Sequence, residues 1–357
     1  MSRADNAPID CLMLAQSDPV SGALRAGPLR RYSDPPVGVR YRVATDRLRY
    51  PGAAGYYHFS PLTVGVSAAR FAIEHSLPLT EKDNSLVHMF FWDVRKFSLP
   101  WVHESDQSFG QFLSGYANVG GFVKRTATRG YSVYLNSRKC KGVITWSEWA
   151  RRGFLEDGVR PDRVFVIPPP FRLVDDRRPH PSPTALFIGR DFKRKGGDIA
   201  IRAFQRARLP AQSKLIYVGK VREGEARRRI AGDGRIVHLE NPDGRTMRDS
   251  VWPEADVLIL PTRSDAFAIT VVEAMCRGIP PVTSQLPPIA EVVQDGKSGL
   301  LAKPGDAEAL SVHLERLLGD EGERARMGAS SRQRALELFS PDRVNGKLAK
   351  VYADAVR

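Results

Sequence analysis

Cysteine is scarce in this chain of 357 residues, which has only Cys11, Cys140 and Cys276. Three widely spaced cysteines exclude a disulfide framework and a paired zinc-ligand motif, and they are typical of a reducing compartment such as the cytoplasm. Long apolar runs are also lacking: stretches such as residues 86–92 fall far short of the roughly 18 residues that cross a bilayer. The N-terminus has no apolar segment that predicts a signal peptide.

The chain instead has an excess of cationic residues. Hydrophobic residues make up 42% and charged residues 26%, as in ordinary soluble globular proteins, but the formal net charge is +14. The excess is shared equally by residues 1–170 and 171–357. Such a surface attracts phosphates, nucleic acid or anionic membranes, or simply keeps the protein soluble. No nucleic-acid-binding motif accompanies the charge, so nucleic acid is the weaker alternative.

Short strands alternate with helices along the whole chain, which predicts parallel sheets covered by helices on both faces. The helices predicted in the first half are residues 62–74, 108–116 and 148–156, and Ser147 is the expected N-cap of the last one. The predicted strands are residues 9–14, 39–44, 86–92, 143–146 and 164–167, then 185–189, 214–218, 236–239, 256–260, 281–283 and 299–302.

Three consecutive prolines, Pro168 to Pro170, cannot continue a helix or a central strand and mark a domain boundary. We therefore predict an N-terminal Rossmann-like domain at residues 1–170 and a linker at 171–183. A C-terminal Rossmann-like domain follows at 184–338. The final helix, 339–357, is expected to pack back on the first domain. Ligands of such doubly wound domains bind at the carboxyl ends of the strands, which predicts a cleft between the two domains.

One cluster of functional residues follows the first strand of the second half. It begins at Gly189, ends at Gly196-Gly197 and carries four cations between them: Arg190, Lys193, Arg194 and Lys195. Glycines let a bulky anion approach the backbone, and a helix N-terminus adds free amide donors and the positive end of its dipole. The spacing predicts a diphosphate site, although it is not a Walker loop and a solvated basic turn is the alternative.

A second cluster follows the strand that ends at Pro261. Asp265 lies in its loop, and Glu273 lies on the helix that starts near Ala268. A carboxylate accepts two hydrogen bonds side by side, which suits the vicinal hydroxyls of a ribose or hexose. The alternative is a helix-capping Asp and a solvated Glu.

Together, the two clusters resemble the retaining, nucleotide-sugar-dependent glycosyltransferases of family 4, which have the GT-B fold. That family has a Glu where this chain has Asp265, and glycines where it has Ala266 and Ala268. These departures bear on the choice of donor sugar. The residues that carry the resemblance are Arg190, Lys195-Gly196, Phe267, Glu273-Ala274-Met275, Gly278, Pro280, Glu291, Asp295-Gly296, Gly299 and Pro304-Gly305-Asp306.

The resemblance also implies roles for individual residues. Arg190 and Lys195 would bind and stabilise the donor diphosphate, Glu273 would hold the ribose, and Asp265 would contact the donor sugar. No metal or other cofactor is expected, because the cations and a helix end take the place of a metal. Further donor-binding groups would come from Gly189, Phe267, Ala268 and Ile269.

His103 is the candidate catalytic residue in the first half, because family members often carry a His there, close to the reacting centre. A structural, backbone-bonded His103 is the alternative, and a structural role is favoured for His88. Glu104 and Asp106 are candidates for a base or for helix capping.

Residues 122–141 combine Lys and Arg with aromatic side chains and contain no acid. Such a segment can bind an anionic membrane surface, or it can be a core-facing helix with a solvated charged side. The expected localisation is therefore cytoplasmic, with peripheral contact at the inner face of the cell membrane.

The predicted function is transfer of a hexose from a nucleoside diphosphate sugar to a sugar or lipid-linked acceptor, with retention, in glycan, glycolipid or cell-envelope polysaccharide synthesis. Two alternatives stay open: a GT-B protein that binds sugar nucleotide without turnover and, less favoured, a nucleic-acid-binding protein.

Overall fold

A computed structural model of the protein describes residues 8–16, 26–46, 83–90, 94, 96–116, 121–221 and 224–357. The chain divides into two compact units, the first comprising Met1–Pro170 with Pro341–Arg357 and the second Phe171–Ser340. Each unit contains a parallel sheet of six described strands flanked by helices, so the predicted α/β class with two Rossmann-like folds is confirmed. The helix predicted at 62–74 lies outside the described residues.

The first unit has the strand order β2-β1-β3-β4-β5-β6. Its strands are β1 (Ile9–Gln16), β2 (Val39–Asp46), β3 (Leu86–Phe90), β4 (Trp101–Ser105), β5 (Cys140–Thr145) and β6 (Val164–Val166). Its helices are α1 (Ala26–Ser33), α2 (Phe109–Tyr116), α3 (Gly121–Leu135), α4 (Glu148–Glu156) and, from the end of the chain, α11 (Pro341–Val356), with a 3-10 turn at Pro161–Arg163.

Both faces of this first sheet are covered, so β3 and β4 are buried at every position rather than at alternate ones. One face packs on α3 and α4, and the other packs on α11, through Leu348 and Tyr352. Ser147 caps α4 as predicted, because its hydroxyl accepts a hydrogen bond from the Ala150 amide at 3.1 Å.

The second unit has the strand order β12-β11-β10-β7-β8-β9. Its strands are β7 (Thr184–Ile188), β8 (Lys214–Val218), β9 (Ile236–Leu239), β10 (Val257–Leu260), β11 (Pro281–Ser284) and β12 (Leu300–Ala302). Its helices are α5 (Gly197–Arg206), α6 (Gly224–Ala231), α7 (Ile269–Met275), α8 (Pro287–Ala290), α9 (Ala307–Gly319) and α10 (Glu321–Phe339), with short helical turns at Gly244–Thr246, Met247–Val251 and Trp252–Glu254.

Residues 171–183 lie against the second unit. Val174 donates its backbone N–H to the Cys276 carbonyl at 3.1 Å. Arg177 pairs with Asp256 at 2.6 Å, and Asp176 pairs with Arg277 at 3.0 Å. These contacts give the segment a defined path, although it has no regular secondary structure.

Candidate functional site

Two loops meet where the strand order of the second sheet reverses. Strand β7, the first of this unit, pairs in parallel with β10, the fourth, so both strands present their carboxyl ends at one edge. We call residues 189–196, after β7, the cationic loop and residues 261–268, after β10, the acidic loop. A reversal of this kind opens a crevice in doubly wound sheets, so the predicted clusters lie where ligands bind in such folds.

Gly196 is the point of closest approach between these two loops. Its φ is +74°, and a Cβ atom there would lie 2.0 Å from the Pro261 carbonyl oxygen. A side chain is therefore excluded both by the left-handed backbone and by lack of space.

Hydrogen bonds also join the two loops. The Arg194 carbonyl accepts from the Arg263 amide at 2.7 Å and from the Thr262 hydroxyl at 3.0 Å. The Arg194 guanidinium donates to the Ser264 carbonyl at 3.0 Å. The two loops therefore form one connected structure.

Lys195 and Asp265, both predicted site residues, form an ion pair across the two loops. Lys195 Nζ lies 2.5 Å from Asp265 Oδ2, and the two side chains are 16% and 11% exposed. Asp265 Oδ1 accepts a hydrogen bond from the Ala268 amide at 3.1 Å. Burial would raise the pKa of Asp265, but Lys195 and then Arg194 outweigh it and hold the pKa below its usual value. A carboxylate and an ammonium group thus lie together at the ligand-binding edge of the sheet.

Ala268 has a strained backbone. Its φ of +50° and ψ of 58° place it in the left-handed region. The glycosyltransferase family that the sequence resembles has a glycine at this position. An alanine in that region costs roughly 1–2 kcal/mol. Ala266, the other alanine that replaces a glycine, does not have a positive φ. The substitution at residue 268 therefore carries a conformational cost that the one at residue 266 does not.

The other predicted donor-binding residues differ in exposure. Arg190 is exposed at the start of the cationic loop, and Glu273 is half-buried on α7. Gly189 is buried, and a Cβ there would lie 2.8 Å from Lys195 Cβ. Phe267 is 2% exposed, and its ring packs edge-on against Phe339 with centroids 5.8 Å apart. Phe267 can therefore offer a ligand only its backbone.

His103 lies inside the first unit, on β4, and is 0% exposed. Its ring meets Tyr131 and Phe154 edge-on, and neither ring nitrogen has a hydrogen-bond partner among the residues that the structure describes. Burial, followed by the neighbouring His88, lowers the pKa of His103 to about 3. The ring is therefore neutral at physiological pH, and its catalytic role stays a prediction.

A buried charged network crosses the opposite face of β4. Arg31 Nε lies 3.2 Å from both oxygens of Glu104, and Trp146 donates to Glu104 Oε1 at 2.6 Å. His88 Nε2 lies 3.0 Å from Glu104 Oε2, while His88 Nδ1 bonds the Tyr352 hydroxyl on α11. Glu104 is completely buried, and both of its oxygens are engaged, so neither role that we considered for it, base or helix cap, fits the structure. The structural role expected of His88 agrees with these contacts.

The charges of this network are arranged to keep Glu104 ionised. Burial would raise the pKa of Glu104, but Arg31 and then His88 outweigh it and lower the pKa below its usual value. Arg31 could not be predicted from the sequence, because a buried arginine is rare and no local pattern marks it.

Residues 122–141 do not form a single helix. Helix α3 ends at Leu135, and Lys141 already lies in β5. Tyr131 and Leu135 are buried in the core, whereas Phe122 is 76% and Val133 68% exposed. The exposed face of α3 therefore carries fewer aromatic side chains than the sequence pattern suggested.

In the described part of the chain, no helix is long and apolar enough to cross a membrane. The same residues contain no group of three or more His, Cys, Asp or Glu side chains that could hold a metal ion.

Comparison with known families bears on the second unit. Residues 174–334 match the family described as glycosyl transferases group 1, and this range contains both loops. The match covers most of the second unit, which is therefore the part of the chain that is similar to this family. The resemblance seen in the cationic and acidic loops is thereby confirmed.

Two curated glycosyltransferases are among the proteins to which this chain is similar. D-inositol 3-phosphate glycosyltransferase of Xylanimonas cellulosilytica is 29% identical over 221 residues, which cover 55% of this chain and 52% of that protein. Phosphatidyl-myo-inositol mannosyltransferase of Mycolicibacterium smegmatis is 32% identical over 225 residues, with coverages of 60% and 57%. The chain thus spans about half the length of the curated relatives it matches.

Solved structures resemble the chain along nearly its whole length. Sucrose-phosphate synthase from Thermosynechococcus elongatus has a TM-score of 0.70 at 18% identity, covering 97% of this chain and 98% of that chain. Anabaena Alr3699/HepE, solved in complex with UDP and glucose, has a TM-score of 0.68 at 17% identity, with coverages of 97% and 99%. At these identities the likeness is one of fold, and the predicted GT-B fold is confirmed.

Proposed function

We propose that the protein transfers a hexose from a nucleoside diphosphate sugar to an acceptor hydroxyl, with retention of anomeric configuration. The observation that carries this proposal is the meeting of the cationic and acidic loops at the strand-order reversal of the unit that is similar to the group 1 family. Cations suit the diphosphate and carboxylates suit the hydroxyls of ribose and sugar, so one edge of the sheet offers both kinds of partner.

In this proposal, Arg190 and Lys195 act on the leaving group. As the bond between the anomeric carbon and the diphosphate oxygen breaks, negative charge grows on the diphosphate. Cations placed where charge develops stabilise the transition state more than the ground state. The same two side chains make metal unnecessary, which is our expectation for this reaction.

Retention requires either a covalent intermediate or attack from the face that the leaving group vacates. Each oxygen of Asp265 already accepts a hydrogen bond, one from Lys195 and one from the Ala268 amide, which suits a residue that orients hydroxyls better than one that attacks the anomeric carbon. We favour front-face attack: the acceptor oxygen bonds to the anomeric carbon, the bond to the diphosphate breaks, and the acceptor proton moves to the leaving diphosphate oxygen. Asp265 and Glu273 would orient the sugar and ribose hydroxyls.

Thermal unfolding against a panel of nucleoside diphosphates, nucleotide sugars and single-stranded oligonucleotides tests the proposal. A ligand at 100 times its dissociation constant adds about 2.7 kcal/mol of stability. We expect stabilisation by one nucleoside diphosphate and its sugar, together with release of that diphosphate when acceptor is added. Stabilisation without any turnover would favour the non-catalytic binder, and stabilisation by oligonucleotides alone would favour the nucleic-acid alternative.

We further propose that the acceptor is lipid-linked and that α3 contacts an anionic membrane. Phe122, Arg125, Arg129 and Val133 follow a spacing that places them along one side of the helix, and all four are exposed. A pair of arginines between two apolar side chains suits the boundary between acidic headgroups and acyl chains.

Sedimentation with vesicles tests this membrane contact. Binding should occur at low salt and weaken at physiological salt, where the screening length is about 8 Å. The double variant Arg125→Gln/Arg129→Gln should bind less than a charge-matched control, Arg245→Gln/Arg248→Gln, whose arginines are exposed on the second unit. Equal binding of the two variants, or no binding at low salt, would contradict the proposal.

A further inference from the structure

Arg263 of the acidic loop contacts the other loop and the helix that follows it. Its backbone amide donates to the Arg194 carbonyl at 2.7 Å, and its guanidinium donates to the Lys193 carbonyl at 2.5 Å. The same guanidinium makes two parallel hydrogen bonds to Asp198, with Nη1–Oδ1 and Nη2–Oδ2 both 2.8 Å. A bidentate pair fixes the orientation of its partners as well as their distance.

Asp198 lies in the first turn of α5, immediately after Gly196 and Gly197. Arg263 therefore holds both the middle of the cationic loop and the start of the helix into which it runs. Lys195 lies between these two fixed points. Its ammonium group faces Asp265, which lies two residues after Arg263.

Asp198 has other cationic neighbours at longer range. Lys193 Nζ lies 3.7 Å and Arg202 Nη2 lies 3.9 Å from Asp198 Oδ2. Burial would raise the pKa of Asp198, but Arg263 outweighs it, and the pKa is lowered. Because the carboxylate keeps cations nearby when Arg263 is replaced, losing the bidentate pair should cost little folding stability.

We propose that Arg263 and Asp198 are a positioning pair that keeps Lys195 aligned for the leaving diphosphate. The assignment rests on the proposed function of the two loops. Neither residue needs to touch the donor, since the pair acts by fixing where the Lys195 ammonium stands. A displacement of about 1 Å in a positioned group can cost about a hundredfold in rate.

The substitution Arg263→Lys separates geometry from charge. Lysine keeps the positive charge but cannot make the planar, bidentate contact. We expect kcat to fall by about tenfold or more while the donor KM changes by less than about threefold. The matched control is Arg206→Lys, on the same helix α5, whose partner Glu308 is 73% exposed and distant from both loops in sequence. The control should keep the kcat of the wild-type protein.

A second variant keeps the test decisive if Arg263→Lys folds poorly. Asp198→Asn preserves the shape of the side chain and should lower kcat to a similar extent. Combining the two substitutions should lower kcat little beyond either one alone, because residues that act as a pair are not additive. Additive losses would contradict the pairing.

An independent readout needs no catalysis. In ligand-free protein, amide hydrogens of residues 190–197 should exchange faster in Arg263→Lys than in Arg206→Lys, because local opening becomes easier. Unchanged exchange, wild-type kcat in Arg263→Lys, or a rise in KM alone would overturn the assignment. If the wild-type protein turned over no donor, the proposed function would fail, and the exchange result would decide the positioning claim by itself.

Discussion

The two units each contain a pair formed by a cation and a carboxylate, and the pairs differ in what surrounds them. In the first unit, Arg31 and Glu104 are completely buried. The Glu104 carboxylate also contacts Trp146 and His88. In the second unit, Lys195 and Asp265 keep 16% and 11% exposure at the edge of a sheet. The buried pair has no access to a ligand, so it stabilises the fold. The pair at the open edge is partly exposed, so each of its members can bind a ligand in place of its partner.

Removing one partner from the buried pair should have the largest effect on stability. We expect Arg31→Ala to lower the free energy of unfolding by about 3–5 kcal/mol, because it leaves Glu104 buried without its counter-charge. Urea denaturation measures this loss. Arg206→Ala, which breaks an exposed pair with Glu308, is the control and should cost less than about 1 kcal/mol. Equal losses in the two variants would show that the buried network does not hold the first unit together.

Replacing the cations at the open edge should lower the turnover rate and not the stability. Lys195→Ala and Arg190→Ala should each reduce kcat by about a hundredfold, equivalent to roughly 3 kcal/mol of transition-state stabilisation. The donor KM should rise less than kcat falls, because the charge on the diphosphate grows only as the bond breaks. Steady-state kinetics with the donor identified by the nucleotide panel measure both parameters. Near-native turnover with weakened binding would contradict the leaving-group role.

His103 makes the stability of the first unit depend on pH. Its folded-state pKa of about 3 lies below the ordinary value, so below pH ~6.5 the unfolded chain binds a proton that the folded chain does not. Stability therefore falls as pH falls, by about 2 kcal/mol between neutral pH and pH 5. His103→Leu should remove that part of the slope. Denaturation at both pH values, compared between wild type and variant, tests it, and identical slopes would contradict the buried neutral histidine.

The strain at Ala268 should give the smallest effect. Ala268→Gly should raise the free energy of unfolding by up to about 1 kcal/mol, because glycine adopts the left-handed backbone without strain. Ala266→Gly is the control, since Ala266 lacks a positive φ, and it should lower stability by a similar amount through the entropy of the unfolded chain. Thermal unfolding distinguishes the two, and a shift of the same sign in both would contradict the strained conformation.

The two units also differ in how much of them the sequence predicts. The cationic and acidic loops were predictable, because each follows a strand recognisable from its apolar residues, and the strand order of a doubly wound sheet brings their ends together. The pairing of Lys195 with Asp265 needed the structure, since the sequence assigned both residues to the donor. The left-handed backbone of Ala268 was likewise not predicted from the sequence and is seen only in the structure.

The buried network of the first unit was beyond prediction for a different reason. Its side chains come from four different elements: Arg31, His88, Glu104 and Tyr352. Two of them that share a hydrogen bond, His88 and Tyr352, are 264 positions apart in the sequence. No periodic pattern or local motif links them, and charged residues are ordinarily expected at the surface. The sequence of α3 likewise left open which side of the helix faces the core, and the structure places Tyr131 there, beside His103.

The central claim is that the two loops form the donor site of an active enzyme. The most direct test of this claim is the turnover of Asp265 variants. Transfer and donor hydrolysis would be measured for Asp265→Asn and Asp265→Glu beside wild type, with Glu273→Ala as a ribose-site reference. We predict that Asp265→Asn loses most activity and that Asp265→Glu is also worse than wild type, since a displacement on the order of 1 Å can cost about a hundredfold. Unchanged transfer by Asp265→Asn would contradict the role assigned to this carboxylate. Activity that appears only in Asp265→Glu would identify the natural protein as a binder without turnover.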